Sequence, residues 1–155
     1  MHYFLNIGSN LGYREQNLRQ AIEALESELC ATAQVSDIIE TPAWGFESAN
    51  SFLNVGLVIK SPIEPAEVLK ITQSIESRLG SAMHRNPDGT YCDRAVDIDI
   101  IAIDEITINS TALTIPPPRM HLREFVLRPM SQLAPNWTHP ILRKTAIQLL
   151  EELNH

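Results

Sequence analysis

The stretch Asp93-Arg94-Ala95-Val96-Asp97-Ile98-Asp99-Ile100-Ile101-Ala102-Ile103 sets two carboxylates into an otherwise apolar run, and its reading as a strand decides the fold. Strand side chains alternate, so Val96, Ile98, Ile100 and Ala102 are expected on one face and Asp97, Asp99, Ile101 and Ile103 on the other. Both carboxylates then share a face, about 7 Å apart at Cα, close enough to converge on divalent cations that hold a polyphosphate. Two anions beside buried isoleucines repel each other, so a cationic occupant is expected. Alone, Asp-x-Asp favours surface aspartates at the solvent end of a half-buried strand. The flanking apolar run and the rest of the chain favour the cation site.

Upstream of this strand, Tyr3 to Gly8 reads as another strand, ending at Gly8-Ser9-Asn10-Leu11-Gly12, a turn whose Ser9 or Asn10 is suited to cap a helix. Leu18, Ala21, Ile22, Leu25 and Leu29 recur at helical spacing and predict an amphipathic helix from Arg14 to Leu29. Ala33 to Ile39 and Phe52 to Lys60 read as paired strands around an irregular Thr41 to Asn50 segment with proline, glycine and two aromatic rings. Pro65 opens a helix that reaches Leu79, with Val68, Ile71, Ile75 and Leu79 toward the core. Ser81 to Arg94 is aperiodic and contains Asn86-Pro87-Asp88-Gly89, a turn signal. Beyond Ile103, short strands are expected at Ile106 to Ile108 and Leu113 to Ile115, and helices at Arg128 to Leu133 and Lys144 to Leu153. Strand, helix, two strands, helix, strand is the order of an α+β ferredoxin-like sandwich, a mainly antiparallel sheet with helices on both faces.

The 155 residues suit one domain, read here as residues 1–155, able to bury its core without disulfides or structural metal. The 19 acidic residues outnumber the 12 basic ones for a formal charge of −7, which argues against general binding to nucleic acid or anionic membranes. Two cysteines without metal-ligand spacing, no signal segment and no window of membrane-spanning length fit a soluble cytoplasmic protein. A monomer or weak homodimer is expected.

Three irregular segments carry the polar groups a site needs: Thr41 to Asn50, Ser81 to Arg94 and Pro116 to Arg123. A Gly-x-x-x-x-Gly-Lys-Ser/Thr loop is absent, so a bound nucleotide must be held through metal. Asp97 and Asp99 suit the oxygen-only preference of magnesium, with Arg94 and Arg123, and less strongly Arg85 and Arg119, as phosphate partners. Each arginine is otherwise a solvated surface residue, and His84 and His121 lack any partner at catalytic spacing. Phe46, Phe52 and Phe125 read either as core or as rings against a flat heteroaromatic ligand. Asn54, set among apolar neighbours, has an amide that a ligand's donor and acceptor edge would match.

Six collinear pieces then resemble one family, the 6-hydroxymethyl-7,8-dihydropterin pyrophosphokinases of folate biosynthesis. They are Ile7 to Gly12; Thr41-Pro42 with Gly45; Phe52-Leu53-Asn54; Ile75-Glu76 before Gly80; Arg94 to Ile100; and Arg123 to Met130 running on to Leu133-Ala134-Pro135. The resemblance implies a transferase that moves the β,γ-diphosphate of ATP to the pterin hydroxymethyl oxygen and releases AMP. It implies that Asp97 and Asp99 hold two magnesium ions, with Arg94 and Arg85 also in the catalytic set. Gln73, Glu76, Arg94, Ile100 and Arg123 would contact ATP, while Thr41, Pro42, Phe52, Asn54, Asp97 and Phe125 would bind the pterin. The chain departs from the family pattern at Pro117, where a histidine is common, at Ala112, and at Ser81-Ala82-Met83, where the catalytic loop usually carries arginine. Those departures motivate the competing reading, a pterin- or nucleotide-binding relative that has lost catalysis. A metal-dependent phosphohydrolase would use the same carboxylates, but nothing in the sequence positions its water.

Overall fold

The computed structural model describes residues 1–41, 51–80 and 95–154. Strand β1 (His2–Ser9) leads into helix α1 (Arg14–Leu29), then β2 (Gln34–Val35), β3 (Ile39–Thr41), β4 (Phe52–Lys60), α2 (Pro65–Gly80) and β5 (Asp97–Ile103). A two-stranded ribbon of β6 (Ile108–Asn109) and β7 (Thr114–Ile115), a 3-10 turn at Met120–Leu122, α3 (Glu124–Leu133) and α4 (Ala146–Leu153) complete the described chain. The main sheet runs β2-β4-β1-β5, with β3 also on β4, and every neighbouring pair is antiparallel. Each of α1 and α2 links strands that have another strand between them, the two split βαβ units of a ferredoxin-like fold.

Apolar alternation buries both faces. Tyr3, Leu5, Ile7, Leu57, Ile59, Ile98 and Ile100 pack with Leu18, Leu25, Val68 and Ile75 of α1 and α2. On the opposite face Phe4, Ile101 and Ala102 pack with Val126, Leu127 and Met130 of α3 and Leu149 of α4. Helices therefore cover both faces, as the element order implies.

Four local expectations are corrected. Alternation along β5 slips at Ile101: Phe4 pairs with Ala102 but Leu5 with Ile100, so Ile101 is an extra residue, and beyond it Ala102 and Ile103 exchange faces. The strand expected at Ala33 to Ile39 is two short ones. Between them the Ser36 hydroxyl accepts the Gly56 N–H at 2.8 Å, and the Asp37 N–H donates to Gln132 at 2.9 Å, so side chains replace ladder bonds. Neither Ser9 nor Asn10 caps α1. Tyr13 precedes it without a side-chain cap, while Asn17 donates back to Ser9 at 3.2 Å and to the Leu11 carbonyl at 2.8 Å. Helix α3 begins at Glu124, four residues before the expected Arg128, and carries Pro129 inside it, with Asn6 Nδ2 meeting the Phe125 carbonyl that the proline leaves without a helical donor.

Candidate active site

Antiparallel register brings the start of β5, the end of β1 and the start of β4 into transverse rows. Asp97 pairs with Gly8, and Gly8 with Asn54; one row further in, Asp99 pairs with Asn6, and Asn6 with Gly56. Because Ile98 and Ile100 point into the α1/α2 core, Asp97 and Asp99 stand together on the α3/α4 face. The shared face expected of the two carboxylates is what the strand adopts. Asp97 is half-buried and Asp99 exposed.

Between Asp97 and Asn54, two strand spacings or about 10 Å apart, the floor is bare because Gly8 has no side chain. A Cβ there would lie 3.0 Å from Asn54 Oδ1 and 3.3 Å from Phe52 Cδ1. Asn54 is buried, and its Nδ2 donates to Thr41 Oγ1 at 2.9 Å, which fixes the amide with Oδ1 over the glycine. Thr41 in turn pairs with Phe52 across β3 and β4. Thr41, Phe52 and Asn54 thus form one wall, and Asp97 and Asp99 stand across the floor from it.

The first turn of α3 supplies the remaining groups. Phe125 is half-buried, the Arg123 guanidinium carbon lies 5.9 Å from its ring centroid, and the Phe125 carbonyl accepts from Asn6 Nδ2 at 2.9 Å.

Glu76 reaches the site from the other side of the edge strand. Its Oε2 accepts the outward-facing Ile98 N–H at 2.8 Å. Burial, reinforced by Asp97 and Asp99 and opposed by that N–H, pushes its carboxyl up to about 7, and a hydrogen bond to Asp97 accompanies the shift. Burial leads and the neighbouring Asp97 and Asp99 add to it, so the Glu76 carboxyl keeps its proton to higher pH than an exposed one. Gln73, one helical turn earlier, is exposed. Among the described residues no three His, Cys, Asp or Glu side chains are arranged as a ready metal cage.

The Ile100 side chain lies in the α1/α2 core, apart from the other candidates, so a nucleotide contact there would have to use its main chain. Pro42, Arg85 and Arg94 lie outside the described residues, as do Phe46 and His84. Sequence reasoning passed over Asn6 and Gly8. Asn6 interrupts the Phe4-Leu5-Asn6-Ile7 run with a buried amide, and Gly8 is a glycine inside a strand, both recognisable marks of close approach or a polar partner.

Sheet order places the chain among ferredoxin-like α+β proteins, with the acidic, glycine-floored margin as its candidate site. Residues 4–135 match the family model described as 7,8-dihydro-6-hydroxymethylpterin-pyrophosphokinase, and the chain belongs to that family.

The 2-amino-4-hydroxy-6-hydroxymethyldihydropteridine pyrophosphokinase of Porphyromonas gingivalis is 41% identical over 138 residues, covering 88% of this chain and 92% of its own. That of Bacillus subtilis is 37% identical over 131 residues, covering 84% and 76%. A Plasmodium falciparum HPPK-DHPS solved with pteroate superposes with a TM-score of 0.74 at 14% identity, over 97% of this chain and 42% of that one. The last match speaks for the fold alone, and the chain spans less than half of that longer protein. Membership makes diphosphate transfer from ATP the activity and favours the enzyme over the relative that has lost catalysis.

Proposed function

We propose that this chain transfers the β,γ-diphosphate of ATP to the hydroxymethyl oxygen of 6-hydroxymethyl-7,8-dihydropterin on the margin formed by β1, β4 and β5. In the reaction the hydroxymethyl oxygen bonds to the β-phosphorus, the bond from that phosphorus to the α,β-bridging oxygen breaks, AMP departs, and the hydroxyl proton passes to solvent. The observation that carries this reading is Asp97 and Asp99 on one face, across the bare Gly8 floor from Asn54.

Each wall has a task. Asn54, oriented by Thr41, presents a fixed acceptor to the N–H edge of a pterin, and Phe52 and Phe125 offer rings to its flat faces. Arg123 brings positive charge to the phosphate side, and Glu76 and Gln73 flank the nucleotide from α2. The family resemblance also assigns Arg94 and Arg85 to the phosphates. Two magnesium ions fit Asp97 and Asp99: the donors are hard oxygens on one face of the sheet, and water and phosphate oxygens would complete the shell. Magnesium bound there supplies charge neutralisation to the triphosphate. No general base is required of the chain, since phosphoryl transfer is mostly alignment and electrostatics.

The test is product identity by mass spectrometry. Protein given ATP, magnesium and the hydroxymethyl pterin should form AMP and the pterin diphosphate, and Asp97→Ala should abolish both. ADP as product, or a fully active Asp97→Ala, would refute the assignment.

A further inference from the structure

Helix α3 contains Pro129, which has no N–H. In an α-helix that N–H would bond to the carbonyl four residues earlier, so Phe125 is the residue whose carbonyl α3 leaves without its helical donor. Asn6 Nδ2 donates to that same oxygen at 2.9 Å. The arrangement is tight. Asn6 is 3% exposed and pairs with Gly56 on one side and Asp99 on the other, and a Cβ on Gly56 would lie 2.7 Å from Pro129 Cβ. The proline that removes the donor thus sits directly on the sheet at Gly56, one strand from the amide that replaces it.

We propose that Asn6 is a positioning residue, fixing the first turn of α3, with Phe125 and Arg123, at a set height over the Asp97–Asp99 margin. A plain packing role for a buried asparagine would be met by any well-filled apolar group. Here the donor is matched to one specific carbonyl, on the residue whose ring faces the ligand. The proposal rests on the reading of Phe125 as a pterin-binding ring, because only then does the height of that turn govern ligand affinity.

The experiment measures equilibrium affinity for the hydroxymethyl dihydropterin with a non-hydrolysable ATP analogue and magnesium saturating, and separately affinity for the analogue with magnesium. Asn6→Ala should weaken pterin binding about tenfold, the size of one net hydrogen bond, and change analogue affinity by less than about twofold. Pro129→Ala restores a helical N–H to the Phe125 carbonyl, so the Asn6→Ala/Pro129→Ala double variant should bind pterin within about threefold of the parent, if the lost bond is the whole effect. Should Asn6→Ala fail to fold, Asn6→Leu, which fills the space without a donor, takes its place: pterin affinity about tenfold weaker with analogue affinity kept supports the proposal, and unchanged pterin affinity refutes it. Unchanged pterin affinity in Asn6→Ala, or equal losses for both ligands, would overturn it. Phe125→Ala separates the layers. If it weakens pterin binding while Asn6→Ala does not, the positioning role falls and Phe125 stands as a pterin-binding ring; if it leaves pterin affinity unchanged, the reading of Phe125 as a pterin-binding ring falls and the positioning role with it, while the product assay decides the activity separately.

Discussion

Replacing Glu76 by glutamine should stabilise the metal-free protein, and only above mildly acidic pH. Glu76 is half-buried, accepts the Ile98 N–H at 2.8 Å, and titrates at about 7 rather than 4.5. Near pH 4 the carboxyl is protonated folded and unfolded, and it costs nothing. Between 4.5 and 7 the folded state keeps a proton that the unfolded chain has released, so stability falls as pH rises, and above about 7 the full penalty applies. At about 1.4 kcal/mol per pH unit the interval corresponds to about 3 kcal/mol, which partial solvent screening reduces to about 1–2 kcal/mol. Glutamine keeps an acceptor for Ile98 and offers Asp97 an N–H in place of the carboxyl proton. Urea unfolding in chelator at pH 5 and pH 8 checks this. The variant should exceed the parent by only about 0.3–0.5 kcal/mol at pH 5 and by about 1–2 kcal/mol at pH 8, the latter about 3–6 °C in Tm for a chain of this size. A gain of equal size at both pH values, or a loss at pH 8, would refute the argument from the half-buried Glu76 carboxylate.

Three further outcomes are expected. Gly8→Ala puts a Cβ 3.0 Å from Asn54 Oδ1 and 3.3 Å from Phe52 Cδ1, so calorimetry should show pterin affinity reduced about tenfold or more with far less effect on the ATP analogue. Thr145→Ala removes the reciprocal capping box with Gln148 and should cost about 1 kcal/mol in urea unfolding without altering turnover. His139 Nδ1 accepts the N–H groups of Ile141 and Leu142, and burial, with His121 adding, holds its pKa below 6.5, so its contribution is complete above 6.5 and is lost as pH falls through the folded value. The difference in stability between parent and His139→Asn, which removes the opposing Glu76 trend, should therefore shrink on acidification; a pH-independent difference would contradict this.

How much was legible in the sequence follows from which signals are local. Helix α1 was readable to the residue because Leu18, Ala21, Leu25 and Leu29 repeat at helical period, and β4 because its apolar run is bounded by turn residues. Asp97 and Asp99 were assigned to one face from the period of two alone, since they lie before the irregularity in β5. The slip at Ile101 was not readable, because a bulge is a property of the pairing with β1, and Ile101, Ala102 and Ile103 are apolar on either face. Nor was the break at Ser36, which depends on the distant Gly56 and Gln132. The early start of α3 was hidden because Pro129 suits the first turn of a helix, and its tolerance further inside one depends on a donor 119 positions away along the chain.

The site owes its position to unequal coverage of one sheet face. At the far end of β1, Phe4 and Ala102 lie under α3 and α4, and the extra residue at Ile101 turns Ala102 onto that side and Ile103 onto the other, so apolar groups meet apolar helices. At the near end the same face carries Asn6, Gly8, Asn54, Asp97 and Asp99, groups that an apolar helix cannot cover without leaving polar atoms unmet. Pro129 docks on Gly56 at the boundary, and there the first turn of α3 meets the polar rows through the Phe125 carbonyl, which accepts from Asn6. The bulge and the small residues of β1 and β4 are thus two halves of one device. One keeps the covered end dry, and the other leaves a bare floor between a fixed amide and a pair of carboxylates.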